Sequence, residues 1–275
     1  MTRLTKQKRD ASVPVQPPGR VLQLVKYSSP VGELPAYLTP SGGGKSPAMI
    51  WLTGGFSNGI DAVWQPAPKD NDQTASVFWK VRGPGGTALV MMYPALRGGS
   101  SGPGVKESFY GEVDDVLAAL RYLKSLHNID SDRIYLGGHS TGGTLALLAA
   151  ECSSGFRAVF AFGPVEDPAT YGSTYLSYSL GDEKENSLRS PIKWLHGITS
   201  PTFVIEGTGG NIDSLRAMRS ATTNANIHFL EAPKQDHFTV IYPVSALIAS
   251  KIEADTGAKC NITMSEAELR AALSR

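Results

Sequence analysis

Ile134-Tyr-Leu-Gly-Gly-His-Ser-Thr-Gly-Gly-Thr-Leu-Ala-Leu-Leu-Ala-Ala150 is the stretch on which the reading of this chain turns. The apolar run Ile134-Tyr-Leu136 meets the pentapeptide Gly138-His139-Ser140-Thr141-Gly142, and an apolar run suited to a helix follows at once. A G-x-S-x-G sequence between a strand and a helix predicts a sharp turn with strained backbone angles, where glycine at both flanks lets the two elements approach. Such a turn lifts the Ser140 hydroxyl above a sheet. It also aims the Thr141 amide, at a helix N-terminus, toward a developing anion. Ser140 is therefore the expected nucleophile and Thr141 one expected oxyanion donor. A Gly-rich turn without chemistry is the plain alternative, and the strand before and the helix after argue against it.

Outward from this point, short β-rich runs alternate with amphipathic helices, the pattern of a mostly parallel sheet. Strands are predicted at Val21 to Tyr27, Leu34 to Leu38, Ala48 to Leu52, Thr87 to Tyr93, Arg133 to Leu136, Ala158 to Phe162, Thr202 to Glu206 and Ile227 to Leu230. The later runs are almost continuously apolar, as strands covered by helices on both faces should be. Val113, Val116, Leu117, Leu120 and Leu123 have helical spacing, with Asp114 and Asp115 in an early turn. A helix from about Ser140 to Glu151 follows the fifth strand, and Ile241 to Glu253 reads as the closing helix. The expected class is α/β, a twisted sheet of about eight strands with helices on both faces. Residues 1–19 read as a polar, solvated tail, and 20–275 as one domain. The segment 166–193, with Tyr171, Tyr175 and Tyr178, reads either as a small lid or as packing.

A serine hydroxyl needs a base, and histidine suits that task near neutral pH. Of five histidines, His139 is too close in sequence to fold back onto Ser140, while His127 and His196 precede strands. His228 lies within a strand and reads as a core residue. His237, in Lys234-Gln-Asp-His-Phe238, follows the eighth strand, at the sheet end where ligands meet open α/β folds. His237 is the expected base. Thr53-Gly54-Gly55-Phe56, after the third strand, offers a second oxyanion donor, assigned to the Gly55 amide. The third member, an acid orienting the imidazole, should come from the loop after the seventh strand. There the sequence reads Glu206-Gly-Thr-Gly-Gly-Asn-Ile-Asp213, and the usual acid position, three residues after Gly207, holds Gly210. Glu206 is the leading candidate. Asp213 and Asp167 remain alternatives, each with helix capping as its bland explanation. A site with no acid, in which Asn211 or water orients His237, is the fourth.

These residues resemble a family. Tyr93-Pro-Ala-Leu-Arg-Gly-Gly-Ser100, Gly111-Glu-Val-Asp-Asp115, Asp130-Ser-Asp-Arg133 and Gly138-His-Ser-Thr-Gly-Gly143 look like the catalytic domain of prolyl-oligopeptidase-type serine peptidases. Ser190-Pro-Ile192 and Ser200-Pro-Thr-Phe-Val-Ile-Glu-Gly207 are similar to that family's approach to its acid loop. The resemblance takes in dienelactone-hydrolase-like esterases and covers roughly residues 45–255. It implies an α/β-hydrolase fold with Ser140 and His237 in the catalytic roles. Gly210 departs from the pattern. The chain also has no room for the β-propeller that screens substrates by size in the peptidases, so a lone hydrolase domain is implied. The expected function is acyl transfer to water from an ester or a small amide or peptide, through an acyl-enzyme on Ser140 and without a cofactor. The alternative is a hydrolase-fold binding protein with weak or no catalysis, because the ordinary acid is missing.

The composition bears on partners. Of 275 residues, 41% are hydrophobic and 19% charged, enough apolar material for a sizeable core. Lys and Arg number 26 against 25 Asp and Glu, without the basic excess of a nucleic-acid binder. The one basic cluster, Arg3 to Arg9, lies in the tail. No run has the length of a membrane span, and no apolar signal core follows the N-terminal charges, so the expectation is a cytoplasmic protein acting on a small-molecule ester or short peptide. The two cysteines, Cys152 and Cys260, have neither metal-ligand spacing nor numbers for a disulfide framework, and read as free thiols.

Overall fold

The computed structural model describes residues 2–40, 43–83 and 86–274. The apolar runs become β1 (Gln23–Ser29), β2 (Gly32–Leu38), β3 (Ser46–Leu52), β4 (Val90–Pro94), β5 (Ile129–His139), β6 (Val159–Phe162), β7 (Thr202–Gly207) and β8 (Ile227–Ala232). They form one eight-stranded sheet in the order β1-β2-β4-β3-β5-β6-β7-β8. β2 is antiparallel to both its neighbours, β1 and β4, and every later pairing is parallel. β3, β4, β6 and β7 are buried along their whole length. Their continuous apolar character follows from being covered on both faces.

Alternation along a strand sends neighbouring side chains to opposite faces. In β3, Ala48, Ile50 and Leu52 join one core with Val116 and Leu120 of α1 (Gly111–Ser125) and Leu145 and Leu148 of α2 (Thr141–Glu151). Met49 and Trp51 join the other, with Phe78 and with Ile241, Val244 and Ile248 of α5 (Ile241–Ala254). Between them in sequence lie α3 (Glu183–Ser187) and α4 (Ile212–Ala221), and α4 adds Leu215 and Met218 to the first core. The expected closing helix is not the last. α6 (Glu266–Leu273) follows it, started by a capping box in which Ser265 and Glu268 satisfy each other's backbone amides.

Three sequence expectations need correction here. Asp115 does not merely favour the start of a helix. It is fully buried and receives the Arg97 guanidinium, with Nε 3.0 Å from its carboxylate. His228 is exposed on β8, the edge strand of the sheet, and its ring stacks on Phe203. The N-terminal residues are laid down as a strap. The Thr5 amide donates to Ser177 O at 2.7 Å, the Asp10 amide to Gly98 O at 2.7 Å, and the Lys106 amide to Lys8 O at 2.9 Å. Lys6 and Lys8 give their ammonium groups to the carbonyls of Ser173 and Thr174. Backbone groups make most of these bonds, so the polar composition gave no sign of them. Both cysteines are free. Among the described residues, no helix is long and apolar enough to cross a membrane.

Candidate active site

Ser140, between β5 and α2, has φ 57° and ψ −120°, a conformation that costs a side-chain-bearing residue roughly 1–3 kcal/mol. The turn is held from both sides, by the Ser140 amide on Phe162 O (2.8 Å) and by Ser140 O receiving the Thr144 amide (3.0 Å). A Cβ on Gly142 would lie 2.7 Å from the carbonyl carbon of Leu52, so a side chain there would part the α2 terminus from β3. The Ser140 side chain does not cap α2 and accepts or donates no hydrogen bond among the described residues. Its hydroxyl is spent on nothing structural.

The register of the parallel strands brings the other candidates alongside. His139 pairs with Phe162, and Glu206 with Glu231, so the carboxyl ends of β5, β6, β7 and β8 form one rim. His237 stands in the loop after β8. Asp236 shapes that loop by accepting the amides of Phe238 and Thr239, each at 2.8 Å, and these bonds hold its carboxyl below the ordinary range. The Thr208 amide on Ala232 O and the Gly209 amide on Gln235 O lace the loop to the end of β7. Across this seam His237 Nδ1 lies 2.9 Å from Glu206 Oε2. Glu206 is fully buried. It is satisfied by that ring, by the Gly207 amide on Oε1 (2.7 Å) and by the Asn211 amide on Oε2 (2.9 Å). A buried carboxylate is tolerable only when so surrounded.

Two glycines make room for the pair. A Cβ on Gly163, just beyond β6, would stand 2.6 Å from His237 Nδ1 and 2.8 Å from Glu206 Oε2. A Cβ on Gly210 would stand 2.7 Å from Glu206 Cδ. The remaining acid candidates are elsewhere. Asp167 caps a short helical turn through the Ala169 amide and binds Asn186 Nδ2, and Asp213 sits in the first turn of α4. Asn211 is a clamp instead of an orienter of the imidazole, its side chain donating to Gly163 O at 3.1 Å.

His139, set aside in the sequence, has a place in this arrangement. It is fully buried, its Nε2 is 2.9 Å from the backbone carbonyl of His237, and the two rings lie 4.5 Å apart. Burial, with His237 adding to it, pushes its pKa down to about 3, so the ring is neutral at working pH and its Nε2–H donates. Only its position inside the elbow hinted at this. On the opposite side, Gly55 has φ 102° and its carbonyl accepts the Thr141 hydroxyl at 2.6 Å. No hydrogen bond occupies the amide of Gly55 or of Thr141 among the described residues. Phe56 follows, stacked on Tyr175 (4.3 Å) and edge-on to Tyr171 (5.3 Å). Tyr178 is different: it is buried, bonded to Asn186 and covered by Arg189.

A sheet in this order, with a serine on the turn from β5 to α2 and a histidine after β8, has the architecture of the α/β-hydrolase fold. Residues 106–211 match the model of the prolyl oligopeptidase family. Solved structures agree on the fold. The Pyrococcus horikoshii acylaminoacyl peptidase superposes with a TM-score of 0.69 at 14% identity, covering 90% of this chain and 44% of that one. A Mycobacterium tuberculosis puromycin-hydrolyzing peptidase gives 0.65 at 16% identity, over 85% and 39%. A 2,6-dihydroxy-pseudo-oxynicotine hydrolase gives 0.67 at 17% identity, over 91% and 72%. The chain thus spans less than half the length of the two peptidases. No curated protein matches it.

Proposed function

We propose that this chain is a serine hydrolase that cleaves a short ester or a small amide through an acyl-enzyme on Ser140. The observation that carries the reading is the 2.9 Å contact between His237 Nδ1 and Glu206 Oε2, in a space cleared by Gly163 and Gly210. A carboxylate on Nδ1 fixes the tautomer, leaving Nε2 as the base. His237 then takes the proton of Ser140 as the hydroxyl attacks the carbonyl carbon. The amides of Gly55 and Thr141 receive the oxyanion, and Glu206 stabilises the imidazolium. His237 gives the proton to the departing alkoxide or amine, and then activates the water that frees the acyl group. Ser140 and His237 share no hydrogen bond in the resting site. Contacts of this kind commonly tighten only when substrate binds.

Phe56, Tyr171 and Tyr175 beside the oxyanion loop favour an apolar or aromatic group on the substrate. The reading of an inactive binding protein rested on a missing acid, and with Glu206 against the imidazole it loses its motive. The acylaminoacyl and puromycin-hydrolyzing relatives of the fold make an aminoacyl bond the competing substrate class. Turnover of p-nitrophenyl butyrate and of aminoacyl p-nitroanilides, measured side by side, tests the proposal. The ester is expected to turn over with a pre-steady-state burst of one equivalent. Absence of turnover on both classes would overturn it.

A further inference from the structure

Away from the serine face, a cavity of ≈ 360 Å³ opens between α1, the end of α2 and the segment leading to Trp194. Phe109, Tyr110, Leu148, Leu188 and Trp194 form its walls; Glu151 and Asp114 are its charged residues, and no Lys, Arg or His lines it. Tyr110 and Trp194 are 38% and 40% exposed, a large open surface for such rings. Arg189 already covers one face of Tyr110, so Trp194 is the freer aromatic wall.

No hydrogen bond or ion pair holds Glu151 by its side chain among the described residues. It is the last residue of α2, where the carbonyl end of the helix disfavours negative charge. Its Oε1 is buried and has no hydrogen-bond partner among the described residues. Burial pushes its carboxyl pKa well above the ordinary range in the empty cavity, a penalty on the carboxylate that an adjacent cation offsets. A carboxyl with one oxygen buried and unpartnered costs stability, and one facing a cavity is explained if an occupant supplies what is missing.

We propose that this cavity binds a small organic cation of the alkylammonium class, its charge at Glu151 and its apolar body against Trp194. Carboxylate and aromatic face are the two groups that together recognise such cations. Leu148 and Leu188 suit the methyl or methylene groups around the nitrogen. Phe109 also lines the smaller cavity beside Gly55 and stacks on Tyr171, so an occupant presses on a ring shared with the serine face. The site does not depend on the hydrolase reading.

Choline and its neutral isostere 3,3-dimethyl-1-butanol separate charge recognition from mere apolar filling. Binding of each to the full chain is followed by tryptophan fluorescence and by calorimetry. Choline is expected to bind saturably, and the isostere at least tenfold more weakly. Glu151→Gln and Trp194→Ala should each weaken choline at least tenfold, while Ser140→Ala leaves it unchanged. Glu151→Gln should melt at or above the wild-type temperature, since it removes a carboxyl whose buried oxygen has no partner. Equal binding of the isostere, undiminished binding by Glu151→Gln, or no saturable choline binding would each overturn the proposal.

Discussion

In the proposed site Glu206 and Gly210 depend on each other for space. The loop position that ordinarily supplies the acid is glycine, and the carboxylate arrives from the end of β7 into the space a side chain at 210 would fill. Glu206→Gln should keep the fold and lower kcat by about 10³-fold or more, as losing the acid leaves the imidazole in the wrong tautomer. Gly210→Asp placed on Glu206→Ala should regain at least part of that loss, read as kcat on a p-nitrophenyl ester. No recovery would mean that the two positions are not equivalent. His139 makes a separate prediction. With its pKa at about 3, it binds no proton in the folded state at pH values where the unfolded chain's histidine does. Stability is therefore lost as pH falls from about 6.5 toward 3, by about 1.4 kcal/mol per pH unit from this group. Denaturant midpoints at pH 6 and 5 should show that slope in the wild type and a shallower one in His139→Gln.

The elements show which features of the site could be read in advance. The turn at Ser140 was legible because its geometry admits few residues, and the runs of β3, β4, β6 and β7 were legible because coverage on both faces leaves no polar side. His237 was legible from its place after the last strand. The choice among Glu206, Asp213 and Asp167 was not. It depends on how the loop after β7 folds back, and amide bonds from Gly207 and Asn211, which no side chain announces, decide that. The helix α6 did carry a signal, the Ser265 to Glu268 capping box. The strap carried none. Since residues 2–10 are bonded to 173–177 and 98–106, their deletion should loosen the segment bearing Tyr171 and Tyr175. Limited proteolysis within residues 172–182 is expected to quicken at least fivefold. An unchanged cleavage rate would show that the strap holds nothing.

Across the whole molecule, buried ion pairs fasten the helical layers to the sheet. Arg157 reaches Asp255, just past α5, at 2.6 and 2.8 Å, and Tyr135 of β5 donates to the same carboxylate at 2.7 Å. Asp255→Ala would strand a largely buried guanidinium and should cost about 3–5 kcal/mol in denaturant unfolding, far more than loss of an exposed pair. The register of the parallel strands ends β5 to β8 at a common level, and the chemistry proposed here requires that alignment. Intact-mass analysis after treatment with a fluorophosphonate tests it most directly. One adduct per chain, mapped to the peptide containing Ser140, absent in Ser140→Ala and slowed in Glu206→Gln, is the predicted result. A wild-type chain that stays unmodified, or is modified only at another residue, would contradict the account.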